Sequence, residues 1–226
     1  MFFKSAKYRK AFLKSLLFVL PGVIITLVFV IYPVINTAWL SLNSWNGIGG
    51  SPIKWVGLQN YIKTLTSVKF WNSMLNALYF VIGGFIILMP IAFGLALLVT
   101  SKLKGTKFFK AAYLMPVMLG TTAVGLMWSF MLNANFGVLA QFLKAIGHSE
   151  WIINWLATTV NIWCVVLVNE WMYAGYNMLI FAAGIVAIPD DVHEAALLDG
   201  CTGIKKVIYI TAPLCKNMFM VFSVLC

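Results

Sequence analysis

Apolar and polar positions divide the chain into long apolar runs separated by short polar segments. Leu16 to Ile35, about Leu75 to Val99, about Ala111 to Leu132 and about Thr158 to Ile188 are each long enough to cross a bilayer as a helix, which takes about 20 residues. They lack the short alternating segments of barrel strands, so the pattern predicts helical spans. The polar exception is Pro189 to Pro213, which lies between apolar runs and holds four of the six acidic residues. Beyond it, Leu214 to Cys226 is apolar again, but about thirteen residues fall short of the roughly 30 Å of hydrocarbon. That run is read as a partial span, with the expectation that the sequence is truncated or that its last helices lie beyond it. The expected fold is all-α and polytopic, with at least five spans. It comprises a terminal segment over 1–15 and a membrane domain over 16–226, with spans at about 16–35, 75–99, 111–132 and 158–188 and a partial span at 214–226. The polar loop 189–213 stays in water.

The polar island carries its own helix signals. Asp191 followed by Glu194 has capping-box spacing, Pro189 suits the position just before a helix, and Gly200 suits a left-handed end. Ala195 and Ala196 are strong helix formers with little bulk, so a second surface can approach the backbone closely there. A second helical segment is expected from Ile204 to Ile210, ending before Pro213.

Composition sharpens the class. The chain is 62% hydrophobic and 10% charged, far from the balance of a soluble domain. The net charge of +10 does not point to nucleic acid, because the basic residues sit in short loops beside the spans. Lys4, Lys7, Arg9, Lys10 and Lys14 precede the first span; Lys102, Lys104, Lys107 and Lys110 fill the next loop on that side; Lys205, Lys206 and Lys216 belong to the polar island and its far edge. Twelve basic residues thus fall on one side, against Lys54, Lys63, Lys69 and Lys144 on the other. The positive-inside rule places the amino terminus and the polar island in the cytoplasm. A signal peptide also starts with basic residues, but this apolar run is too long and lacks a small-x-small cleavage site. The outer loop 36–74 carries Trp39, Trp45, Trp55 and Trp71, side chains suited to the headgroup level. Cys164, Cys201, Cys215 and Cys226 show neither metal spacing nor a disulfide framework and are read as small apolar fillers. His148 reads as a solvated loop residue.

The fourth span is the least apolar. Glu170 is the sole charged residue inside a complete span, and such residues are costly enough to be functional candidates. Glu170, Tyr173 and Asn177 recur at i, i+3 and i+7, so one face carries an acid, a phenol and an amide. This stripe suits a carbohydrate path. An interhelical hydrogen-bond cluster that only fixes packing is an equal alternative. Trp171 points elsewhere, toward lipid or a neighbouring helix.

Glu194-Ala195-Ala196, then Gly200, Ile210 and Ala212-Pro213 at their spacings resemble the EAA loop of ATP-binding cassette importer permeases. Ala212 stands where Leu is usual and Cys201 where Ala is usual, and neither change removes the helix or the turn. Val56-Gly57-Leu58-Gln59-Asn60-Tyr61 resembles a segment of carbohydrate-importer permeases of the maltose and glycerol-phosphate type, particularly the first permease of each pair. The resemblance implies that Glu194, Ala195, Ala196, Asp199, Gly200, Ile210 and Pro213 couple the chain to an ATPase. It implies two ATP-binding subunits, a second homologous permease, an extracytoplasmic solute-binding protein, a carbohydrate solute and a bacterial cytoplasmic-membrane location. ATP and Mg would be bound by the partner subunits, with no cofactor in this chain. No nucleotide-binding Gly-rich loop, metal motif or nucleophile elbow occurs in the sequence, so no catalytic or metal-binding residue is expected. A secondary transporter or channel is the alternative; it would carry ion-coupling acids in its spans and often an inverted repeat. A purely structural membrane scaffold would not need the Glu194–Pro213 pattern.

Overall fold

The structure, a computed structural model, describes residues 6–101, 103–157 and 161–225, with side chains from Lys14 onward. Lys4, Lys102, Thr158 and Cys226 therefore lie outside the described residues, as do the side chains of Lys7, Arg9 and Lys10. The chain forms two compact units, Met1–Ser73 and Met74–Cys226.

The first unit is one long helix followed by a folded loop. Helix α1 (Ala6–Thr26) passes through a π turn (Leu27–Ile31) into α2 (Tyr32–Ser41), so the first helix runs beyond the expected end at 35 and takes in Trp39. Strands β1 (Asn43–Ser44) and β2 (Lys54–Trp55) pair antiparallel, with Asn43 opposite Trp55, and α3 covers Gln59–Leu65. The part of the outer loop that follows α2 is thus ordered, and the 56–61 segment explains how. Asn60 Nδ2 donates to the carbonyls of Ser41 (2.8 Å) and Asn43 (2.9 Å), and the Tyr61 hydroxyl lies 2.7 Å from Ser41 Oγ. Gly57, at φ +58°, provides the left-handed turn that brings them back to the end of α2.

The boundary between units falls inside α4 (Val68–Gly83), which continues through a π turn (Gly84–Leu88) into α5 (Met89–Thr100). Next come α6 (Thr106–Met118) and α7 (Thr121–Met131), bent 95° from one another. The span expected at about 111–132 is therefore two helices joined at a sharp bend. Leu119 and Gly120 are both extended (ψ 142° and 138°), and two consecutive extended residues end the α hydrogen-bond ladder. Helix α8 (Val138–Ala145) and a 3₁₀ turn (Ser149–Trp151) follow. His148 is not merely solvated: its ring stacks on Trp151 at 4.3 Å, and Nδ1 lies 2.9 Å from Glu150 Oε1. That bond holds the Glu150 carboxyl below its ordinary pKa. Its small stabilisation is present above the ordinary carboxylate range and is lost as pH falls.

Helix α9 (Asn161–Val186) is the centre of the second unit. Helix α10 (Asp190–Leu198) leaves it at 74°. Then α11 (Gly203–Lys206), a π turn (Val207–Thr211) and α12 (Ala212–Leu214) form one continuous helical stretch, and α13 (Lys216–Leu225) turns off it by 66°. The expectation of a helix ending before Pro213 is corrected. The wider π turn lets the chain pass the proline, because the Ala212 N–H donates to the carbonyl of Val207, five residues back. Among the described residues, Lys14–Ser41 and Val68–Thr100 are each long and apolar enough to cross a membrane, and three bent pairs raise the number to five.

Side chains from α5, α9 and α13 form the core. Phe181 is fully buried, with Phe93 at 5.6 Å and Phe219 at 4.8 Å between ring centroids. In lipid, helices associate through close van der Waals packing rather than escape from water, and small residues permit it. A Cβ on Gly175 would fall on the Tyr113 carbonyl of α6, and one on Gly184 would overlap Met218 of α13. We expect Gly175→Ala to force α6 and α9 apart and destabilise the detergent-solubilised protein by about 1–3 kcal/mol, read as a lowered Tm. A Tm equal to wild type would show that the two backbones do not meet there.

Candidate functional site

Two features carry chemistry, and the first is the polar island. Pro189 is extended (ψ 144°) and serves as the N-cap of α10, with no side chain capping the helix. The expected capping box of Asp191 and Glu194 is thus corrected: the helix begins at Asp190, two residues too early for Asp191 to be its cap. Asp190 and Asp191 instead occupy the first turn, where their charge complements the helix dipole. At the other end Gly200 stands at φ +68°, the Cys201 N–H donates to the Ala196 carbonyl (2.8 Å), and the Gly200 N–H to the Leu197 carbonyl (3.1 Å). These two bonds are a Schellman closure, which ends the helix through local contacts alone.

The side chains sort by face. Ala196 is buried against its own chain, while Glu194, Ala195, Leu197, Leu198 and Asp199 face outward, with Leu198 90% exposed. The close-approach surface expected of both alanines is therefore left to Ala195. Ile210 lies half-buried in the π turn, and Pro213 is exposed in α12. An exposed Leu on an acidic helix suits contact with another protein surface better than contact with lipid.

The second feature is a cavity of about 260 Å³ beside α9. Asn169, Glu170, Tyr173, Tyr176 and Asn177 line it from one helix, with Phe80 from α4 and Phe222 from α13 closing other sides. The structure brings the three expected residues together and adds two that the i, i+3, i+7 reading missed. Asn169, Tyr173 and Tyr176 fall at i, i+4 and i+7, an equally helical spacing that could have found them. Phe80 and Phe222 had no such signal. Glu170 is only 3% exposed, and its Oε2 has no hydrogen-bond partner. Gly83 of α4 packs closely here: a Cβ on it would overlap Val166 and lie 3.4 Å from Glu170 Oε1.

The interhelical hydrogen-bond cluster is not what the structure holds. Asn177 Nδ2 donates to the Tyr173 carbonyl of its own helix at 3.1 Å. Among the described residues no side-chain hydrogen bond from Glu170, Tyr173 or Asn177 reaches a second helix. Trp171 faces a neighbour, with its ring 5.6 Å from Trp128 at 74°. The thiols of Cys164, Cys201 and Cys215 are free, and no group of three metal-ligating side chains occurs among the described residues.

A family described as the binding-protein-dependent transport system inner membrane component matches residues 151–226. Over 219 residues the chain is 31% identical to the probable starch degradation products transport system permease protein AmyD of Thermoanaerobacterium thermosulfurigenes, covering 96% of this chain and 73% of that protein. Over 221 residues it is 33% identical to the trehalose/maltose transport system permease protein MalF of Thermococcus litoralis, covering 97% and 73%. Among solved structures, a bacterial alginate ABC transporter in complex with its alginate pentasaccharide-bound periplasmic protein matches with a TM-score of 0.78. That match covers 96% of this chain and 72% of the other at 21% identity, a likeness of fold.

The Schellman closure makes a specific demand on Gly200. We expect Gly200→Ala to cost about 1–2 kcal/mol through its left-handed backbone. Amide exchange at positions 200 and 201 should then quicken by roughly fivefold or more; unchanged exchange would show that the helix end is held by something else.

Proposed function

The chain belongs to the family of binding-protein-dependent transport system inner membrane components, and from that membership we propose how it couples and what it carries. It is a membrane permease of an ATP-driven importer that works with a solute-binding protein. The solute we assign is a carbohydrate, an oligosaccharide, sugar or polyol. The relatives' names, starch degradation products and trehalose/maltose, support that class. So does the cavity, where amides suit hydroxyl groups and the faces of Tyr173, Tyr176 and Phe80 suit the apolar rims of a sugar ring.

The observation that carries the coupling role is α10, a short closed helix turned 74° from α9 with Glu194, Ala195, Leu197 and Leu198 outward. In our reading two ATP-binding subunits hold ATP and Mg, and one of them receives this helix. Glu194 and Ala195 form the contact, Asp199 and Gly200 hold its end, and Ile210 and Pro213 relay movement through the π turn toward α13. Closure of the ATPase pair then moves α10 and, through α9, alters access to the cavity. A second homologous permease completes the path. The excess of basic residues on one side orients the amino terminus and α10 toward the cytoplasm. The chain itself does no covalent chemistry in this scheme.

The test is affinity capture of the ATP-binding subunit from detergent-solubilised membranes, with wild type beside a Glu194→Lys, Gly200→Pro double variant. We expect wild type to retain the ATPase and the variant, present in the membrane at equal level, to lose at least nine-tenths of it, about tenfold weaker capture or roughly 1.4 kcal/mol. Capture of no ATPase by either form would make a self-sufficient transporter the better account.

A further inference from the structure

We infer that Glu170 acts as a charge filter, so that the cavity passes neutral hydroxyl-bearing sugars and rejects anionic ones such as uronates and phosphorylated sugars. This rests on the reading of the cavity as the solute path. Glu170 is only 3% exposed, yet it lines the cavity, and its Oε2 has no hydrogen-bond partner. A buried acceptor left unpaired is unfavourable, so the site favours a guest that donates hydrogen bonds to it. Sugar hydroxyls do so.

The other polar groups on the wall are neutral: the Asn169 and Asn177 amides and the Tyr173 and Tyr176 phenols. Among the described residues no Lys, Arg or His lines the cavity, so an anionic guest would meet no positive charge there whichever protonation form Glu170 takes. With the carboxylate ionised, the guest would also meet a like charge in a site that screens poorly. The residue's position is built into a close helix contact: Gly83 of α4 leaves room for Val166, one turn before Glu170 on α9, and a Cβ on Gly83 would lie 3.4 Å from Glu170 Oε1. An isolated carboxylate also attracts cations, but the two amides and the aromatic walls offer more to a polyhydroxylated ring than to an ammonium group. The assignment is therefore to neutral sugars.

The experiment uses the assembled importer in proteoliposomes, with maltotriose and trigalacturonate as the neutral and anionic probes of equal ring number, and glucosamine trimer as a cationic control. Binding to the complex without its solute-binding protein is read by intrinsic tryptophan fluorescence, and the ratio of affinities is the quantity compared. Wild type should bind maltotriose at least tenfold more tightly than trigalacturonate. Glu170→Gln should weaken maltotriose and shrink that ratio by at least tenfold, whereas Glu170→Asp should keep the ratio, because the carboxyl group remains. A change that only disturbed packing would lower all affinities together and leave the ratio where it was. Wild type that binds trigalacturonate as well as maltotriose overturns the filter and leaves the solute path standing, as does tighter binding of the cationic trimer than of maltotriose. If no probe binds, and Phe80→Ala and Asn169→Ala leave the importer's uptake unchanged, the cavity is not the path and both readings fall.

Discussion

The governing constraint on this chain is that a backbone polar group inside hydrocarbon must find its partner within the protein. Helices meet it, but prolines remove a donor and push against the carbonyl four residues back. Three prolines here share one solution. Pro33, Pro90 and Pro213 each follow a five-residue π turn by the same interval. In each case the residue just before the proline, Tyr32, Met89 or Ala212, donates to the carbonyl five residues earlier, Leu27, Gly84 or Val207. The wider turn shifts the ladder by one residue and keeps it continuous. Pro21 and Pro116 sit inside α helices without such a turn.

Satisfied backbones leave packing to decide how helices assemble, and α9 shows how. Its Gly175 meets the backbone of α6, its Gly184 receives Met218 of α13, and Val166 fits where Gly83 of α4 has no side chain. Three close approaches along one helix fix its position against three neighbours. They also set the cavity, since the residues between those contacts, Glu170, Tyr173 and Asn177, are held against a wall closed by Phe80 and Phe222. The same rigid helix hands over at Pro189 to the short α10, so the proposed solute path and the proposed coupling element share one support.

Helix α10 depends on its neighbours less than any other part of the site. Its end is closed by bonds between residues three to five apart around Gly200, and its first turn carries Asp190 and Asp191 at the favourable end of the dipole. Only Ala196 is buried. A small element with local closure and an outward acidic and leucine-bearing face can move as a unit without unravelling, as transmission of movement from a partner requires.

The sequence by itself determined the membrane class, the helical nature of the runs, the left-handed turn at Gly200 and the face shared by Glu170, Tyr173 and Asn177. Each follows from hydropathy, from glycine's freedom or from helical period, all of which act within a few turns of chain. Tertiary structure decided where helices bend or widen, as at Leu119-Gly120 and before Pro213, because those choices depend on what neighbouring helices will accept. It decided that Ala196 turns inward and Ala195 outward, and that Asp190 rather than a capped position opens α10. It also brought Phe80 and Phe222, far apart in sequence, to the cavity that Asn169 and Tyr176 line, and it left Glu170 Oε2 buried without a hydrogen-bond partner. A cavity is made by residues that are distant along the chain, so its lining appears only when the helices have packed.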